Sequence, residues 1–250
     1  MHGNSKPPNN SLDRGELATP CSTIQQTGMT ASDWNKRWEN KANVRRWELT
    51  IIHPFLEKYL PSSTTHQRVI VPLAGKTADL FWLVDKGFQV IGIDCSSLAF
   101  QELLDEQIGT GNYTLEQRSP NCSIYSACDN RLVLVACDIF ADELAPSLIG
   151  GPVSFVWDRA ALAALHPADH ARYIEKLKQL SKTNALFLFS VYWHSGPTDR
   201  DPPFPISTET MNKLFSSGEV VKLDELDSMN EDWTQVGYKD LCERCYRVQF

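Results

Sequence analysis

At 250 residues and 42% hydrophobic side chains, the chain has material for one large domain or two small ones, each with a real core. A formal net charge of -7 speaks against nucleic-acid binding, which calls for a basic face. No apolar run reaches bilayer length, so no membrane partner is expected. Residues 1–10 lack the apolar core of a secretory signal. The seven cysteines are odd in number and irregularly spaced, which predicts reduced thiols and a cytoplasmic location. The one CxxC, Cys242 to Cys245, falls in a segment that reads as a strand. Positions three apart on a strand face opposite ways, so no metal is expected there.

Residues 1–28 are rich in Pro, Asn, Ser and Thr and are predicted to form a disordered tail ahead of a single domain over 29–250. Thr30 or Ser32 caps a short helix whose Trp34 and Trp38, four apart, share one face. A second helix is predicted over 44–59, kinked at Pro54. The chain then alternates. Strand 68–73 (RVIVPL) leads to helix 77–86, and strand 89–94 (QVIGID) to helix 96–107, opened by Ser96. Segments 124–127 and 132–136 flank a Cys128-Asp129-Asn130 turn and read as a hairpin. Strand 153–158 is followed by short helical 160–165, helix 168–181, strand 185–192, helix 207–215 and two closing strands. Continuous apolar strands alternating with helices imply a parallel sheet covered on both faces.

In such sheets ligands bind beyond the carboxyl ends of the strands. Asp94 ends the second strand about twenty residues after the first turn, where a carboxylate can accept hydrogen bonds from ribose hydroxyls. The plain alternative is an exposed loop acid beside the Ser96 cap. The same position serves a nicotinamide cofactor or S-adenosylmethionine. A pyrophosphate cofactor favours G-x-G-x-x-G, whereas Leu73-Ala74-Gly75-Lys76 carries one glycine, which suits a phosphate-free sulfonium. Asp138 and Ile139 can hold the amine and cover a ring face of adenine, or Asp138 is merely a charge at a helix start. Arg159 is aimed at a ligand anion or pairs with Asp158 at the surface. Trp34 and Trp38 are core residues or a lid. His53, His166 and His194 are isolated and are not read as metal ligands.

Together these segments resemble the thiopurine S-methyltransferase family. The resemblance rests on Trp34-x-x-x-Trp38, Val71-Pro72-Leu73-Ala74-Gly75-Lys76 with Trp82, Val90-Ile91-Gly92-Ile93-Asp94, Trp157-Asp158-Arg159-Ala160-Ala161-Leu162 and Pro202-Pro203-Phe204, in the family's order. It implies an α/β, Rossmann-like class I methyltransferase: a mostly parallel seven-stranded sheet with helices on both faces and an N-terminal helical extension. It implies S-adenosylmethionine as cofactor, a small-molecule thiol as substrate and a monomeric enzyme. Trp34, Trp38, Leu73, Gly75, Asp94, Asp138, Ile139 and Arg159 would contact the cofactor, Arg159 also serving the reacting centre, with Arg45 and Phe204 on the acceptor side. Val44-Arg45-Arg46 stands where the family usually has Phe-His-Gln, and Asp94 where it has Glu. A nicotinamide-dependent oxidoreductase and a non-catalytic S-adenosylmethionine-binding or scaffold protein are the competing readings.

Overall fold

The structure is a computed structural model that describes residues 1, 28–40, 50–62, 67–196 and 201–249. The tail expected over 1–28 lies almost wholly outside the described residues, as do Arg45 and most of the first part of the expected second helix.

The alternation of short apolar segments and amphipathic ones becomes nine strands and eight α-helices among the described residues. The strands are β1 (Arg68–Pro72), β2 (Gln89–Asp94), β3 (Thr114–Ser119), β4 (Cys122–Ala127), β5 (Leu132–Ala136), β6 (Val153–Arg159), β7 (Ser181–Trp193), β8 (Glu219–Asp227) and β9 (Cys242–Gln249). The helices are α1 (Ala31–Glu39), α2 (Pro54–Tyr59), α3 (Asp79–Asp85), α4 (Ser97–Ile108), α5 (Ala161–Ala164), α6 (His170–Leu180), α7 (Thr208–Leu214) and α8 (Glu231–Gln235). No described helix is long and apolar enough to cross a membrane.

All strands join one sheet in the order β3-β4-β5-β2-β1-β6-β7-β9-β8. The central run β5-β2-β1-β6-β7 is parallel, and the outer strands on each side pair antiparallel. Period-two alternation divides the central strands between two layers. Ile70, Ile91 and Ile93 enter one core with Tyr173, Ile174 and Leu177 of α6. Val69, Val71 and Val90 enter the other with Phe55 of α2, Leu80 and Leu83 of α3, and Phe100 and Leu103 of α4. Gly92 in β2 lets α3 lie close: a Cβ there would sit 2.7 Å from Leu134 Cδ2 and 3.1 Å from Leu80 Cδ2.

Four expectations change. The sheet has nine strands, not seven, and half its pairings are antiparallel. β3 (TLEQRS) carries no apolar alternation; it is an exposed edge strand held by its backbone ladder to β4. Pro54 starts α2 rather than kinking a longer helix, because a proline at the first helical position loses no needed N–H. His53 caps that start, its Nδ1 accepting from the Phe55 amide at 3.1 Å. The helix expected over 168–181 begins at His170 after a 3-10 turn over Pro167–Asp169, and residue 181 already belongs to β7.

The segment entering α2 is tied to the sheet by buried polar contacts. Asp79, fully buried, accepts from the His53 amide and from Trp157 Nε1, both at 2.9 Å. His53 Nε2 lies 3.1 Å from Glu243 Oε1, which also accepts from Ser190 Oγ at 2.9 Å. Asp79→Ala leaves two buried donors unpaired. Since each orphaned donor costs about 1–3 kcal/mol, urea denaturation should show stability lowered by about 2–5 kcal/mol.

Candidate active site

The carboxyl ends of the parallel strands open onto a cavity of about 470 Å³. Pro72 of β1, Asp94 of β2, Cys137 after β5, Arg159 of β6 and Tyr192 of β7 all border it, and Trp34 and Trp38 of α1 cover one side. α1 is held at its start by a reciprocal cap. The Asp33 amide donates to Thr30 Oγ1 at 3.2 Å, and Asp33 Oδ2 accepts from the Thr30 amide at 3.0 Å. Thr30, not Ser32, is therefore the cap. Arg37 of α1 pairs with Asp201, linking this cover to the loop that carries Phe204.

Three residues at strand ends around the cavity adopt left-handed backbone: Leu73 (φ 46°), Gly75 (φ 51°) and Ala160 (φ 58°). For Leu73 and Ala160 this costs about 1–3 kcal/mol each, strain of a kind that clusters at ligand sites. Gly75 is required twice over, since a Cβ there would also meet Trp38 Cζ2 at 3.0 Å. Trp38 is 2% exposed and seats directly against this turn.

Asp94 is 7% exposed, so it is not the exposed loop acid of the plain alternative. Its Oδ2 accepts from the Gly75 amide at 2.8 Å and its Oδ1 from the Ser96 amide at 2.9 Å. Burial raises its carboxyl above the ordinary range, while these amides pull the other way. A carboxylate offers about four lone-pair positions, so two amides do not exhaust it.

On the neighbouring wall, Asp138 is exposed and Ile139 buried. Asp138 Oδ1 accepts from the Phe140 amide at 2.9 Å, forming an Asx turn rather than a helix start. Arg172 lies over the Phe140 ring, 4.3 Å from its centroid.

Arg159 is half-buried at the end of β6, near Tyr192 and Glu243. Burial works against the charge of Glu243, yet hydrogen bonds from His53 and Ser190, with Arg159 close by, hold its carboxyl below the usual range. Asp158 is not a surface partner of Arg159: it is fully buried. It accepts from the Ala161 and Leu162 amides at 2.8 and 3.2 Å and from the Tyr173 hydroxyl at 2.7 Å. Burial lifts its carboxyl to about 7 despite these donors.

Of the residues singled out from the sequence, Trp34, Trp38, Leu73, Gly75, Asp94, Asp138, Ile139 and Arg159 all border the cavity. Arg45 lies outside the described residues. Phe204 does not line the cavity; it is buried one layer behind, its ring edge-on to His166 at 5.4 Å and its amide donating to Ala163 O at 2.7 Å. Sequence reasoning missed Arg172, which the α6 pattern marks only as an outward-facing cation. It also missed Cys95, whose one signal is its place directly after a strand end. Burial, with the charges of Asp94 and Asp138, pushes the Cys95 thiol far above its ordinary range.

The family model described as "Thiopurine S-methyltransferase (TPMT)" matches residues 29–249. A thiopurine S-methyltransferase from Xanthobacter autotrophicus is 33% identical over 75% of this chain and 84% of its own length. The one from Bos taurus is 28% identical over 87% of this chain and 89% of its own length. In three dimensions the chain is similar to a SAM-dependent methyltransferase from Anabaena variabilis, with a TM-score of 0.64 at 13% identity, covering 91% of this chain and 98% of that one. This likeness shows the class I methyltransferase fold. The sequence match, nearly end to end over the described domain, shows more: the chain belongs to the thiopurine S-methyltransferase family.

Proposed function

We propose that this protein is an S-methyltransferase that moves a methyl group from S-adenosylmethionine to the sulfur of an aromatic, heterocyclic or small thiol. The observation that carries this reading is the buried Asp94 carboxylate at the carboxyl end of β2, facing the cavity beside a single-glycine turn. The residues present fit that cofactor. A buried acid with lone pairs to spare suits a ribose diol, and no multi-glycine cradle for phosphates accompanies it.

When bound, the sulfonium cofactor supplies an activated methyl group for in-line displacement by the acceptor sulfur. Asp94 holds the ribose hydroxyls while keeping the Gly75 turn in place. Asp138 takes the exocyclic amine and Ile139 covers a ring face. Leu73, Gly75, Trp34 and Trp38 form the wall and cover that align the methyl group and exclude water. Arg159 faces the acceptor and favours its anionic form. Phe204 acts from behind the wall, through the loop that Arg37 ties to α1. Arg45 is assigned to the acceptor side on the family resemblance.

The family match from residue 29 supports one catalytic domain over 29–250. The six described cysteines are all free, which supports a reducing, cytoplasmic setting, and we take the working form to be a monomer.

Calorimetry separates this reading from the nicotinamide alternative: S-adenosylhomocysteine should bind and NADH should not, and binding of NADH alone overturns the proposal. Asp94→Asn should weaken S-adenosylhomocysteine about ten- to hundredfold, the worth of a charge-assisted hydrogen bond of about 1.5–3 kcal/mol. Arg159→Ala should lower kcat/KM for a small aromatic thiol about tenfold or more, with a smaller change in S-adenosylhomocysteine affinity. Unchanged thiol kinetics would remove Arg159 from the acceptor side. Transfer of tritiated methyl across a panel of thiols, thiopurines and iodide then defines the acceptor.

A further inference from the structure

At the edge of the parallel core the sheet assembles a set of side chains that methyl transfer does not use. Cys122 opens β4 and Cys137 follows β5. The antiparallel register that pairs Ser123 with Ala136 sets these two cysteines opposite each other, one step further along. Each is 1% exposed. Glu143, in the turns after β5, brings a carboxylate to the same place, with Oε1 3.9 Å from Cys137 Sγ. One donor atom from each of the three lies within 4.8 Å of the others, and no other such cluster occurs among the described residues.

We propose that Cys122, Cys137 and Glu143 form a binding site for a thiophilic divalent cation of the zinc class. Metal–sulfur bonds of about 2.3 Å and metal–oxygen bonds of about 2.0–2.2 Å in a tetrahedron set the donors roughly 3.5–3.8 Å apart. Cys137 Sγ and Glu143 Oε1 stand 3.9 Å apart and all three donors lie within 4.8 Å of one another, so side-chain adjustments of up to roughly 1 Å close the set. Two sulfurs and one carboxylate oxygen are a borderline-soft set that suits zinc and disfavours magnesium or calcium. Ser119 Oγ donates to Glu143 Oε1 at 3.0 Å, an outer hydrogen bond that orients the carboxylate.

The thiols are sealed in the core while Glu143 is exposed, which provides an entry path and leaves the fourth position to water. Cys137 also borders the cavity, so a bound cation braces the wall that carries Asp138 and Ile139. The CxxC pair is differently placed: Cys245 is buried and Cys242 half-buried, three apart on β9 and so on opposite faces of the sheet.

Titration of the reduced full chain with Co2+, followed by absorption, tests the site. One Co2+ per chain should bind with a thiolate charge-transfer band and tetrahedral d–d bands, both lost on adding equimolar Zn2+. Cys122→Ala should abolish the charge-transfer band, and Cys242→Ala should leave it unchanged. Glu143→Gln, a change at the surface that spares the core, should weaken Co2+ about tenfold or more. Absence of the band in the unsubstituted protein overturns the proposal. So does a band that survives unweakened in Glu143→Gln, or one that is lost in Cys242→Ala.

Discussion

The carboxylate of Asp94 ties two strand ends into one wall. One oxygen holds the Gly75 amide beyond β1 and the other holds the Ser96 amide ahead of α4. The Ala74 amide reinforces the join by donating to Ile93 O at 2.9 Å. Because the turn is held this way, Gly75 keeps its left-handed backbone and Trp38 can close against it. A charge buried to this degree is costly unless hydrogen bonds compensate it. The same bonds that stabilise the acid therefore shape the cavity.

Around that clamp the structure separates rigid support from binding surface. The central strands send alternate residues into two cores, so neither face of the sheet is free to shift. The polar network of His53, Asp79, Trp157, Ser190 and Glu243 joins the start of α2 to α3, β6, β7 and β9. It brings Glu243 near Arg159, whose charge it can balance. Arg159 thus stands at a strand end beside an acid that several elements hold in place, and sites built on strands are positioned more closely than sites on loops.

The central fold was legible because parallel strands buried on both faces read as unbroken apolar runs. β1, β2, β6 and β7 show this pattern, and Pro72, Asp94, Arg159 and Tyr192 at their carboxyl ends line the cavity. β3 was not legible, since a polar edge strand depends on backbone pairing and its side chains carry no signal. Pro54 is ambiguous in the sequence because a proline inside apolar spacing looks the same whether it kinks a helix or starts one; His53 as a capping acceptor decides between them. The roles of Asp158 and Phe204 depend on what lies across from them in space. Asp158 turns inward to Tyr173 and Phe204 outward from the cavity to His166. The grouping of Cys122, Cys137 and Glu143 likewise needs the strand register before it can be seen.

Cys95 gives the cavity a character of its own. Any enclosure built to bring sulfur to an electrophilic methyl group exposes its own sulfur to the same hazard, and here a thiol lies on the wall itself. Burial and the two neighbouring carboxylates keep that thiol protonated, and a protonated thiol is a poor nucleophile. On the methyl-transfer reading, resident and incoming sulfur are told apart by ionisation: the carboxylates beside Cys95 keep the protein's own sulfur a thiol, while the incoming one meets the cation of Arg159.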